Sequence, residues 1–153
     1  FLLRDDIETI HAATDLLAEA KLSPELRNEA LYYRAKAYTK QKAAKKAVDD
    51  LRELAKDTRN AYGAEAKYLV AQSLYDAKEY NAAEKELLNY IEQSTPHAYW
   101  LARSFVLLSD VYAAMGKDLD ARQYLLSLQQ NYQGNDDIAT MIESRLSKLK
   151  VKN

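Results

Sequence analysis

Small side chains recur in this chain at a fixed interval, and that interval restricts what it can fold into. Ala35 and Ala47, Ala71 and Ala83, and Ser109 and Ala121 are each twelve positions apart. In every case a bulky residue (Tyr38, Leu74 or Tyr112) stands three after the first small one, and a leucine (Leu51, Leu87 or Leu125) four after the second. The unit recurs after 36 residues and again after 38, so the added residues fall between units while the internal twelve is kept. A partial fourth copy precedes them, with Ala13 and Leu17 in the later positions. Twelve residues suit two antiparallel helices joined by a short turn, each presenting a small side chain where the backbones cross. Alanine there permits close approach, and leucine and tyrosine fill the flanks. A self-similar period of this length is the signature of a helical repeat array.

The rest of the chain agrees with helices. There are only three glycines and two prolines, strong helix formers fill almost every segment, and no strand-type alternation is sustained. The breakers predict helix ends. Ser23-Pro24-Glu25 gives an N-cap, a proline in the first turn and an early acid. Asn81 with Glu84 predicts a capping box, Thr95-Pro96 repeats the cap-then-proline order, and Gly116 and Gly134 suit helix C-termini. Eight helices are expected, near 3–21, 24–41, 43–58, 61–77, 80–94, 97–115, 118–132 and 136–150.

At 153 residues the chain is long enough for one domain with a sizeable core. A formal net charge of -1 gives no electrostatic reason to expect nucleic acid or an anionic membrane surface as partner. No cysteine is present, which removes disulfides, thiolate metal sites and cysteine nucleophiles. No uninterrupted apolar run of about 18 residues occurs, so no membrane-spanning helix is expected. The chain opens FLLRDD, without the order of a signal peptide, and is expected to be part of a longer protein.

With these positions laid out, the chain resembles the tetratricopeptide repeat (TPR) family. The first repeat offers Leu31, Arg34-Ala35, Tyr38, Ala47, Leu51 and Leu54. The second offers Lys67, Val70-Ala71, Leu74, Ala83, Leu87 and Tyr90, with Tyr80 in the turn. The third offers Phe105, Leu108-Ser109, Tyr112, Ala121, Leu125 and Leu128, with Gly116 at the family's turn position. Lysine at 67 and serine at 109 depart from the pattern, as do repeats longer than the family's usual length. The resemblance implies an all-α, right-handed superhelix (an α-solenoid) of antiparallel hairpins. Its parts would be a leading partial repeat (1–27), repeats at 28–60, 61–96 and 97–134, and a C-terminal capping helix (135–153). The longer repeats look like those of bacterial TPR proteins, cell-envelope ones among them, which favours the periplasm or envelope over the cytoplasm.

Little in the sequence can carry catalysis. His11 has Asp15 one turn later, and a surface pair explains both; His97 stands at a helix start, where solvent exposure is the simpler reading. No G-x-G-x-x-G, P-loop or H-E-x-x-H occurs, and the acid pairs Asp49-Asp50 and Asp136-Asp137 suit helix surfaces or caps. No enzyme activity, cofactor or metal is therefore expected. Lys40, Lys42, Lys45 and Lys46 are followed at once by acids and read as a solvated turn rather than a nucleic-acid patch.

The twelve tyrosines are more informative. Tyr38, Tyr90 and Tyr112 hold core positions of the repeat, whereas Tyr32, Tyr68 and Tyr75 do not. In the TPR family the first helix of each hairpin lines a concave groove. Carried onto this chain, the groove is Glu29, Tyr32, Lys36, Thr39 and Lys40, then Glu65, Tyr68, Gln72, Tyr75 and Asp76, then Arg103, Val106 and Asp110. Tyrosines there would supply large contact area at low entropic cost, or else pack against neighbouring repeats. The lysine and asparagine clamp that grips chaperone tails has no match, since Tyr32, Lys36, Tyr68 and Gln72 stand where it would begin. The expected function is non-catalytic binding of a peptide or partner helix. A structural spacer of a larger envelope protein is the alternative. Self-association through Phe1, Leu2 and Leu3 at the N-terminal end is a further expectation.

Overall fold

The computed structural model describes residues 5–93 and 95–149. Among them the regular structure is helical throughout: α1 (Asp6–Leu17), α2 (Pro24–Lys40), α3 (Ala44–Leu54), α4 (Ala61–Asp76), α5 (Tyr80–Glu92), α6 (Ala98–Ala114), α7 (Asp118–Asn131) and α8 (Ile138–Lys148). The expected helices are all present, with α1 and α3 ending four residues early. The expected surface at Phe1, Leu2 and Leu3 lies outside the described residues.

Three connections share one backbone device. Lys42, Lys78 and Gly116 all have positive φ, at 59°, 63° and 78°. Each follows a helix by two residues and closes the same pair of hydrogen bonds onto its last turn. Lys42 N–H donates to Thr39 and Ala43 N–H to Tyr38; Lys78 N–H donates to Tyr75 and Glu79 N–H to Leu74; Gly116 N–H donates to Ala113 and Lys117 N–H to Tyr112. This is the Schellman end, which satisfies carbonyls that the helix leaves orphaned. The left-handed residues are 36 and 38 positions apart, the same intervals that separate the small-residue pairs.

That device also explains a misplaced cap. The turn at Lys78 makes Glu79 the N-cap of α5, without a side-chain cap bond, so Asn81 lies inside the first turn and forms no capping box. At Ser23 the expectation holds: its hydroxyl accepts from Leu26 N–H at 3.3 Å, with Pro24 in the first turn. Thr95 acts earlier than expected, accepting from His97 N–H at 3.3 Å, and α6 begins only at Ala98. Gly134 lies beyond the α7 C-cap Tyr132, and a β-carbon on it would run into the Tyr132 ring.

The six small residues of the repeat are all buried, from 0% exposed at Ala71, Ala83 and Ala121 to 3% at Ala47. Ser109 keeps its hydroxyl bonded to the Val106 carbonyl at 2.9 Å, which lets a polar residue serve as the small one. The chain divides into two compact units between Ser73 and Leu74. In the first, α2 packs against α1 and α3. Arg34 of α2 grips Asp50 of α3 through two hydrogen bonds of 2.7 and 2.8 Å and reaches Thr14 of α1 at 3.2 Å. In the second, α6 packs against α5, α7 and α8. Ala102, Val106, Leu125, Leu128, Ile138 and Ile142 form a core there, with Phe105, Leu146 and Leu149 packed on it.

Candidate functional site

In the first unit, α2 and α4 bring together three of the expected residues. Glu65 is the centre: its carboxylate accepts the Tyr32 hydroxyl at 3.0 and 3.2 Å and pairs with Lys36 Nζ at 2.7 Å. The Lys36 ammonium lies 5.2 Å from the Tyr32 ring centroid, a cation–π distance. Two tyrosines that the sequence reading did not select complete the cluster. Tyr33 meets the Tyr32 ring edge-on at 5.3 Å, and Tyr62 lies tilted against it at 4.6 Å. Burial first, then the Glu65 charge and hydrogen bond, hold the Tyr32 phenol well above its ordinary value. It is therefore a neutral donor at physiological pH.

Glu29, Tyr32, Tyr33, Lys36, Tyr62 and Glu65 are all half-buried, and Lys40 and Thr39 are exposed. The Thr39 hydroxyl turns back to the Ala35 carbonyl at 2.9 Å. Tyr68 is placed differently from Tyr32. It is only 6% exposed, packed into the unit, and its hydroxyl donates to the half-buried Gln72 at 3.1 Å.

In the second unit the expected residues separate. Val106 is 2% exposed, covered within the core to which Ile138 and Ile142 of α8 belong. Asp110 is taken by Arg145 of α8, which approaches its two carboxylate oxygens at 3.3 Å each. Tyr75 is half-buried against Tyr80 at 5.7 Å, and Asp76 is exposed. The Tyr75 phenol is raised by burial first and then by the Asp110 charge, with Arg145 pulling the other way. Arg103 lies over Tyr99 and Trp100, at 5.8 and 5.9 Å, and donates to the Tyr99 hydroxyl at 2.9 Å. That hydroxyl in turn donates to Asp137 at 3.0 Å.

A sequence signal existed for Tyr62, which stands one helical turn before Glu65 and so shares its face of α4. None existed for Arg145, whose role depends on where α8 docks.

An apolar pocket of about 240 Å³ also opens between α6 and α7, lined by Leu101, Ala102, Phe105, Leu128, Asn131 and Tyr132. Among the described residues no group of three or more His, Asp or Glu side chains is disposed to hold a metal ion. His11 and Asp15 are both exposed on α1. No helix among the described residues is long and apolar enough to cross a membrane. Comparison with known proteins gives no match: no family profile, no curated protein and no solved structure is significantly similar to this chain.

Proposed function

We propose that this chain is a non-catalytic protein-binding module built of TPR-like hairpins wound into a right-handed superhelix. It holds a peptide or partner helix on the face of its first-type helices. The observation that carries this reading is the half-exposed cluster of Tyr32, Tyr33 and Tyr62 around the Lys36–Glu65 pair. Its rings are held by mutual contact, and Tyr32 also by its hydrogen bonds to Glu65, so a partner would lose little entropy in meeting them. The repeating turns at Lys42, Lys78 and Gly116 support the repeat architecture.

A second reading, a structural spacer, draws on the opposite behaviour of the second unit. There Val106 is buried and Asp110 is paired with Arg145, so the chain satisfies its own face. The two readings separate in a crosslinking pull-down comparing the wild-type protein with a Lys36→Glu/Tyr62→Ser variant. Circular dichroism would establish that both are folded. The binding reading expects a partner crosslinked to wild type and lost from the folded variant. Identical capture by both proteins, or none by either, leaves the spacer.

A further inference from the structure

Three times in this fold a tyrosine ring, a carboxylate and a basic side chain assemble into one group. Lys36 lies over Tyr32 and pairs with Glu65. Arg34 lies 5.9 Å from the Tyr38 ring centroid and pairs with Asp50. Arg103 lies over Tyr99, whose hydroxyl bonds Asp137. The ring face attracts a cation through its quadrupole; the carboxylate pairs with that cation in the first two groups and accepts the ring's hydroxyl in the third.

Tyr62 and Glu29 supply the ring and the carboxylate of a fourth such group. Tyr62 is placed by its contact with Tyr32, 4.6 Å between centroids. Glu29 precedes Tyr32 and Tyr33 by three and four residues, so all three share one face of α2. Its charge is felt at Tyr62, whose phenol is raised by burial first, then by Tyr33, Glu29 and Glu65. Both residues are half-buried, hence partly desolvated yet reachable. Among the described residues no side-chain hydrogen bond or ion pair reaches the Glu29 carboxylate. The neighbouring Lys36 is committed to Glu65 at 2.7 Å.

We propose that Glu29 and the Tyr62 ring receive a lysine or arginine side chain of the bound partner, a basic peptide segment. This rests on the binding-module reading and adds the chemistry of the partner to it. The cation completes the arrangement that the fold builds internally at Tyr32 and at Tyr38, with the ring below it and the Glu29 carboxylate beside it. Arginine is favoured over lysine, because its planar guanidinium stacks on the ring while its fork addresses the carboxylate.

The test is an NMR titration of the protein with the pentapeptide Ala-Ala-Arg-Ala-Ala, blocked at both ends, and with its glutamate counterpart. The arginine peptide is expected to shift the Glu29 and Tyr62 signals saturably at millimolar concentration, and the glutamate peptide to leave them in place. In Glu29→Gln, an isosteric change at a half-exposed position, the arginine peptide should bind about fivefold more weakly. Tyr62→Leu should weaken it similarly, each variant's amide spectrum reporting that it is folded. Equal affinity for wild type and a folded Glu29→Gln variant would overturn the proposal, as would unmoved Glu29 and Tyr62 signals. If the arginine peptide shifts other signals instead, the assignment to Glu29 and Tyr62 fails while the binding-module reading stands. That wider reading fails only by the crosslinking experiment.

Discussion

At the scale of single residues, conformation and ionisation both make definite demands. Lys42 and Lys78 occupy the left-handed region that Gly116 occupies without steric penalty. A β-carbon in that region costs about 1–2 kcal/mol, partly offset by glycine's greater freedom in the unfolded chain. Lys42→Gly and Lys78→Gly should each stabilise the protein by roughly 0.5–1 kcal/mol, and Gly116→Ala should destabilise it by a similar amount. Denaturant midpoints would check this; a destabilised Lys78→Gly would show that its side chain matters more than its backbone. The tyrosines make the second demand. Those at 32, 62, 75, 90 and 112 have phenols raised chiefly by burial, and Tyr132 is pushed up to about 12 by its bond to Asp136 and then by burial. A raised phenol means that the folded state keeps protons which the unfolded chain gives up near its ordinary value of about 10. Their contribution is thus complete below pH of about 10 and is lost as pH climbs through the raised values. Stability should fall steeply above that point, with phenolate absorbance appearing together with loss of helical signal. Full ionisation of all twelve tyrosines in a still-folded protein would contradict it.

At the scale of elements, the sequence pattern located helices well and their junctions less well. Alanine and leucine spacing is a local signal, and Ala35, Ala47, Ala71 and Ala83 are all buried as that spacing expects. Helix ends depend on where the next element has to go. The shortened α3 illustrates this: the chain turns at 55–60, and the Asn60 side chain accepts from Tyr62 and Gly63 N–H at 2.8 and 3.3 Å. Gly63 then sits so close to the end of α3 that a β-carbon would collide with the Asp57 carbonyl oxygen and lie 2.7 Å from that of Leu54. Backbone cannot give way as a flexible side chain can. Gly63→Ala should therefore destabilise the first unit by about 1–3 kcal/mol despite alanine's better helix propensity. A thermal melt would show it, and a raised melting temperature would mean that the junction is loose.

At the scale of the whole molecule, the repeat array proposed above would have a stability that is a sum of local terms and neighbour contacts. The helices flanked on both sides should then be the last to open. Hydrogen exchange is expected to be slowest in the buried stretches of α2 and α6, and faster in α1 and α8. Uniform protection along the chain would instead indicate a single cooperative block. What the linear sequence decided was the all-helical class, the eight helices of the described residues and the burial of the small residues, because those rest on local propensity and a regular spacing along the chain. It also placed Tyr32, Lys36 and Glu65 on helix faces that meet, since thirty or so residues carry one hairpin helix to its counterpart. What it left open was which side chains on those faces remain available. Tyr68 and Val106 stand where the groove was expected yet are buried, and Asp110 is neutralised by Arg145, 35 residues away. Burial and charge pairing depend on how α8 and its neighbours dock, and docking answers to the summed surfaces of several helices rather than to any one segment.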